Sequence, residues 1–121
     1  MRREAAERYR NLLERVDEIE LPPHTLPEID ISWFVYVVRL RAGVNRHAVR
    51  DRMASDGVVT AAYFEPIHQQ AAWSRLARGE MPVAESAGSR TLALPFFTRI
   101  APQQQEAVAS SLMRAIMLQK Q

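Results

Sequence analysis

The first apolar positions of the chain, Ala5, Ala6, Tyr9, Leu12, Leu13, Val16 and Ile19, fall three and four residues apart. That spacing lines one face of an α-helix and predicts a connecting helix over residues 1–19. On its polar face Glu4 stands four residues before Arg8 and Arg10 four before Glu14. Such exposed pairs are each worth only about 0.2–0.5 kcal/mol and read as a solvated surface. The pattern breaks at residues 20–31, where Pro22, Pro23 and Pro27 lack amide donors and favour an extended connector with no regular element. Residues 33–40, Trp-Phe-Val-Tyr-Val-Val-Arg-Leu, are apolar at both phases of a period of two. They predict a strand covered on both faces at the centre of a sheet, with Trp33, Phe34 and Tyr36 as core packing.

Asn45 is placed to cap a helix over residues 46–55, with Val49 and Met53 one turn apart on its inner face and Gly57 just beyond its end. Residues 58–64 predict a second strand running into the Glu65-Pro66 turn. After a link around residues 77–82, Pro82 opens a short helix to about Ser89, and residues 91–94 form a third strand stopped by Pro95. Pro102 starts a last helix with Val108, Leu112, Ala115 and Ile116 on one face. The order α-β-α-β-α-β-α gives an α/β (α+β) fold: a small three-stranded sheet with helices mainly on one face, its strand directions not fixed by this pattern. Residues 1–121 are expected to form a single domain, with residues 32–121 as its α/β core.

A length of 121 residues with 47% hydrophobic positions suits one compact core. The absence of cysteine excludes disulfides, thiol catalysis and Cys-based zinc sites, and fits a reducing, cytoplasmic setting. The charged start and the lack of about 18 consecutive apolar residues predict neither a leader nor a membrane span. Sixteen Lys and Arg against 14 Asp and Glu leave a formal charge of +2, and the two signs are interspersed instead of forming the basic stripe that nucleic acid requires.

Four glycines build neither a phosphate-binding loop nor a Gly-x-Ser-x-Gly elbow. Asp17 with Glu18, and Asp51 with Asp56, fall on exposed helix surfaces and read as solubility charges. His24, His47 and His68 do not converge by spacing, and His24 reads as a solvent-exposed loop residue without metal partners. The single lysine, Lys120, lies in a polar Gln-Lys-Gln tail.

The stretch from residue 62 to 73, Ala-Tyr-Phe-Glu-Pro-Ile-His-Gln-Gln-Ala-Ala-Trp, carries the candidate chemistry. A strand ends there in a proline-fixed turn that brings Tyr63 and His68 to one edge of the sheet. A phenol and an imidazole in that position can bind or protonate a substrate, and they can equally satisfy loop hydrogen bonds. Without a nucleophile, metal or cofactor they define no reaction.

Several segments in series resemble the C-terminal small domain of the DegT/StrS sugar aminotransferases, fold type I enzymes that use pyridoxal phosphate. They are residues 2–9, 32–40, 50–57, Tyr63-Phe-Glu-Pro-Ile-His68, Pro82-Val-Ala-Glu85 and Arg90-Thr-Leu-Ala-Leu-Pro95. The resemblance implies a short antiparallel sheet docked on a larger domain that holds pyridoxal phosphate on a lysine, in a parent that is commonly a homodimer. It implies a sugar-nucleotide substrate, with Tyr63 and His68 near the active-site entrance as substrate-binding residues.

Many such enzymes carry a histidine just before the tyrosine, where this chain has Ala62. Glu85 reads as a first-turn carboxylate favoured by the helix dipole. A tail lysine does not suit an internal aldimine, so the chain alone is expected to bind no cofactor and to be inactive. The competing expectation is a stand-alone binding or regulatory module on the same scaffold.

Overall fold

The computed structural model describes residues 2–28, 31–62, 83 and 88–119. Helix α1 spans Arg2–Leu13, strand β1 Ile19–Glu20, strand β2 Tyr36–Leu40, helix α2 Arg46–Ser55, strand β3 Thr91–Leu94 and helix α3 Pro102–Leu118. The strands form a three-stranded antiparallel sheet in the order β1-β2-β3. Ile19 pairs with Leu40 across β1 and β2, and Tyr36 with Leu94 across β2 and β3. The α/β class and the central position of β2 therefore match the sequence reading.

Three boundaries differ. Helix α1 stops at Leu13, and Ile19 belongs to a strand. Glu14, Asp17 and Glu18 crowd carboxylates where the helix end is already negative, opposing continuation. Ile19 instead enters the core from the sheet, so the connector expected to begin at Glu20 opens inside β1. Strand β2 begins at Tyr36, three residues later than expected, and Phe34 is 73% exposed instead of packed in the core. Of the strand expected over residues 58–64, Ala61 makes one isolated bridge to Ala93, while Tyr63 and Phe64 lie outside the described residues. Most of the helix expected from Pro82 to Ser89 also lies outside them, although residues 88–90 are helical up to β3.

The core lies where one face of the sheet meets the helices. Tyr36, Val38 and Leu40 alternate inward from β2, Leu92 and Leu94 from β3, and Ile19 from β1. They pack with Tyr9 and Leu13 of α1, Val49 and Met53 of α2, and Leu112 and Ile116 of α3.

Local signals set both ends of α2 and the start of α3 as read from the sequence. Asn45 Oδ1 accepts the Ala48 amide at 3.2 Å at the start of α2. At its end Gly57, with φ of +84°, donates to the Ala54 carbonyl while Val58 donates to that of Met53. These two bonds form a Schellman motif, which places its C′ residue in the left-handed region that glycine tolerates best. Pro102 begins α3, and Gln104 Oε1 accepts the Ala101 amide at 2.8 Å.

Two charged residues expected on solvated faces join elements instead. Arg8 does not pair with Glu4; its Nε donates to Gln105 Oε1 at 2.5 Å and its Nη2 to the Ile100 carbonyl at 3.4 Å. Asp56 Oδ2 accepts from Ser111 Oγ at 2.8 Å and from Arg114 Nη2 at 3.2 Å, tying the end of α2 to α3. Those two bonds, first that from Ser111, hold the Asp56 carboxyl below the usual range.

Candidate functional site

Tyr63 and His68, the candidate site residues, both lie outside the described residues. The scaffold up to Ala62 is described, and it fixes the approach to Tyr63. Arg50 in α2 donates from Nε to Thr60 Oγ1 at 3.2 Å and from Nη2 to the Thr60 carbonyl at 3.1 Å. One residue further, Ala61 and Ala93 exchange amide-to-carbonyl bonds of 3.1 and 2.7 Å. Arg46, one turn before Arg50, donates to the Gly88 and Thr91 carbonyls beside β3. Two arginines on one helix thus lash β3 and the segment leading to Tyr63 onto α2.

A second cluster surrounds His24. The rings of Trp33, Tyr36 and Phe96 gather with it, Trp33 stacking on Tyr36 at 5.6 Å between centroids and His24 meeting Trp33 at 5.1 Å. Tyr9 packs against Tyr36 at 4.9 Å, and its hydroxyl donates to the Pro95 carbonyl. His24 Nε2 lies 2.9 Å from the Tyr36 hydroxyl, so this histidine is half-buried and partnered, not the free loop residue expected.

Burial raises both tyrosines above their ordinary value and lowers His24 below its own. A phenol that keeps its proton and donates to a neutral imidazole agrees with all three directions. A cleft of about 480 Å³ opens beside the histidine, bounded by Arg3, Glu7, His24, Leu26, Glu28 and Trp33. The arrangement pins the proline-rich loop to β2 through an uncharged hydrogen bond. No sequence periodicity marked it, because His24 and Tyr36 belong to segments whose pairing only the β1–β2 register brings about.

This pin carries a pH dependence. Burial lowers the His24 pKa, Glu7 opposes the shift and Arg10 adds to it. A histidine whose folded value lies below its unfolded value of about 6.5 is protonated more readily by the unfolded chain. The stability it lends is whole above about pH 6.5 and is lost as pH falls from there through the folded value. Urea midpoints measured from pH 7.5 to about 5 are therefore expected to fall more steeply for the wild-type chain than for a His24→Gln variant. Parallel slopes would remove the pin from the account.

Among the described residues no three His, Cys, Asp or Glu side chains gather as a metal site, and no helix is long and apolar enough to cross a membrane.

A three-stranded antiparallel sheet packed on helices places the chain among mixed α/β proteins. Comparison with known proteins gives its family: residues 1–113 match the DegT/DnrJ/EryC1/StrS aminotransferase family, and the chain belongs to it. It is 33% identical over 116 residues to the dTDP-4-dehydro-2,3,6-trideoxy-D-glucose 4-aminotransferase of Saccharopolyspora spinosa, covering 95% of this chain and 29% of that protein. The aminotransferase TlmJ of Streptoalloteichus hindustanus superposes with a TM-score of 0.86 at 33% identity, over 99% of this chain and 32% of that one. A Streptococcus pneumoniae protein described as a sugar aminotransferase, solved in its PLP-form, shares the fold with a TM-score of 0.87 at 16% identity, over 98% of this chain and 31% of that one. The chain thus spans about a third of the length of the relatives it matches.

Proposed function

We propose that this chain is the C-terminal small domain, residues 1–121, of a pyridoxal-phosphate-dependent enzyme that transfers an amino group from an amino acid to a keto sugar nucleotide. The observation that carries the reading is the family match over residues 1–113 beside a relative that aminates a dTDP-linked keto sugar, at 33% identity. The chain's share of that relative, 29%, supports a parent that brings a further, larger domain.

The residues in hand do not fit the cofactor. No described residue is a lysine, and Lys120 lies outside the described residues. The reading therefore assigns the cofactor to the rest of the parent, and this chain alone no transamination.

The task left to this part is to shape the entrance to the sugar site. Arg50, Thr60 and the Ala61–Ala93 bridge hold the approach to Tyr63; on this reading Tyr63 and His68 bind the substrate. In the full-length parent, Tyr63→Phe and His68→Ala are each expected to lower kcat/KM for the keto sugar about tenfold, the worth of one substrate hydrogen bond. Bound cofactor, read from its visible absorbance, is expected to stay near the wild-type amount. Unchanged sugar kinetics in both variants would refute the assignment.

A further inference from the structure

We infer that the groove walled by Phe34, Val35, Val59, Pro95 and Phe96 is the face on which this chain packs against the remainder of its parent enzyme. The inference rests on the reading above, that such a remainder exists, and adds where it docks.

Phe34 is 73% exposed and Val59 79%, and both line one groove of about 370 Å³. Single exposed apolar residues are ordinary; two large ones facing one concavity mark a surface meant to be covered. By contrast Met117 and Leu118, 64% and 49% exposed at the end of α3, line neither this groove nor the cleft beside His24.

The walls are fixed before any partner arrives. Val59 precedes the doubly bonded Ala61–Ala93 bridge, and Thr60 between them is held by Arg50. Phe96 follows β3 and packs 6.1 Å from Tyr36 and 6.4 Å from Trp33. At the rim Arg2 donates to the Trp33 carbonyl at 3.3 Å, which steadies the backbone just before Phe34. A concavity whose walls are held this way, apolar at Phe34 and Val59 and polar at Arg2 and Thr60, loses little conformational freedom on binding, which favours a permanent contact.

The occupant follows from length. Relatives matched along 95% and 99% of this chain contain roughly two further thirds of polypeptide, since the match spans 29% and 32% of them. That remainder, presenting apolar side chains to the groove, is the partner.

The test uses the full-length parent. Three variants, Phe34→Cys, Val59→Cys and Met117→Cys, are labelled with a maleimide, and the rates are compared before and after denaturation in guanidinium. Docking predicts that Phe34→Cys and Val59→Cys react about tenfold or more slowly than Met117→Cys in the native enzyme and equally fast once denatured, because thiol labelling follows access.

Equal native rates in a heavier, cofactor-bearing parent would overturn the docking face and leave the proposed function standing. If the native polypeptide ends at the 121 residues of this chain, both fall. Protection that appears only as protein concentration rises would assign the groove to a second copy and likewise overturn the inference. Where a cysteine variant does not fold, Phe34→Ser and Val59→Ser with hydrogen exchange of residues 34–35 and 59–61 give the same reading.

Discussion

Replacing Tyr36 by alanine is expected to destabilise the chain by about 3–5 kcal/mol, the range for truncating a buried aromatic to alanine. Tyr36 is fully buried and touches four rings, those of Tyr9, His24, Trp33 and Phe96, with centroids 4.9 to 6.1 Å away. Its removal empties the junction between α1, β2 and the loop bearing His24. Tyr36→Phe separates ring from hydroxyl: packing stays, and only the bond to His24 is lost, for about 1 kcal/mol. Urea denaturation of both variants decides the matter. If alanine and phenylalanine cost the same, the aromatic cluster contributes nothing beyond one hydrogen bond.

Gln105→Leu is expected to follow, at about 2–4 kcal/mol, despite adding an apolar side chain to a buried position. Gln105 has no exposed surface, and its amide bridges two helices. Its Nε2 donates to the Ala5 carbonyl at 2.7 Å while its Oε1 accepts from Arg8. Leucine has the bulk but leaves the Arg8 guanidinium, a charged donor, to the longer bond with the Ile100 carbonyl. The cost follows from Arg8 Nε and the Ala5 carbonyl losing their side-chain partner, not from lost packing. Gln105→Glu tests this, because it keeps an acceptor for Arg8 and loses the donor to Ala5. It is expected to recover part of the loss in the same denaturation series, and a Gln105→Leu variant as stable as wild type would show that the bridge is idle.

What could be read from the sequence was what neighbouring residues decide. Asn45 acts through a side chain that caps a backbone amide three residues on, and Gly57, Pro95 and Pro102 through their own backbone constraints, so the ends of α2, the stop of β3 and the start of α3 were legible. The end of α1 was not, because Val16 and Ile19 extend its apolar spacing while Ile19 is held by a strand 21 positions away, at Leu40. Exposure of Phe34 was equally hidden: an aromatic beside a run of apolar strand residues looks like core from the local pattern alone.

The candidate site residues Tyr63 and His68 lie outside the described residues, and the contacts of the scaffold leading to them were not legible. Local chemistry drew attention to Tyr63 and His68, yet the pairings of Arg50 with Thr60, Arg46 with the carbonyls beside β3, and His24 with Tyr36 depend on the tertiary fold. Arginine and histidine carry no periodic signal that announces such partners. Asp56 shows the same limit, since a carboxylate at a helix end gives no sign that a serine 55 positions later will meet it.

The bond between Gln105 and Ala5 joins positions 100 apart. Synthesis adds about 5–20 residues per second, so roughly 5–20 s pass on the ribosome between the appearance of α1 and that of its partner. A 12-residue helix is marginal alone, and through that interval its side toward α3, at Ala5 and Arg8, has no partner. The nascent chain therefore exposes that side of α1 well before it can cover it, and its yield should depend on whatever shelters it until α3 emerges.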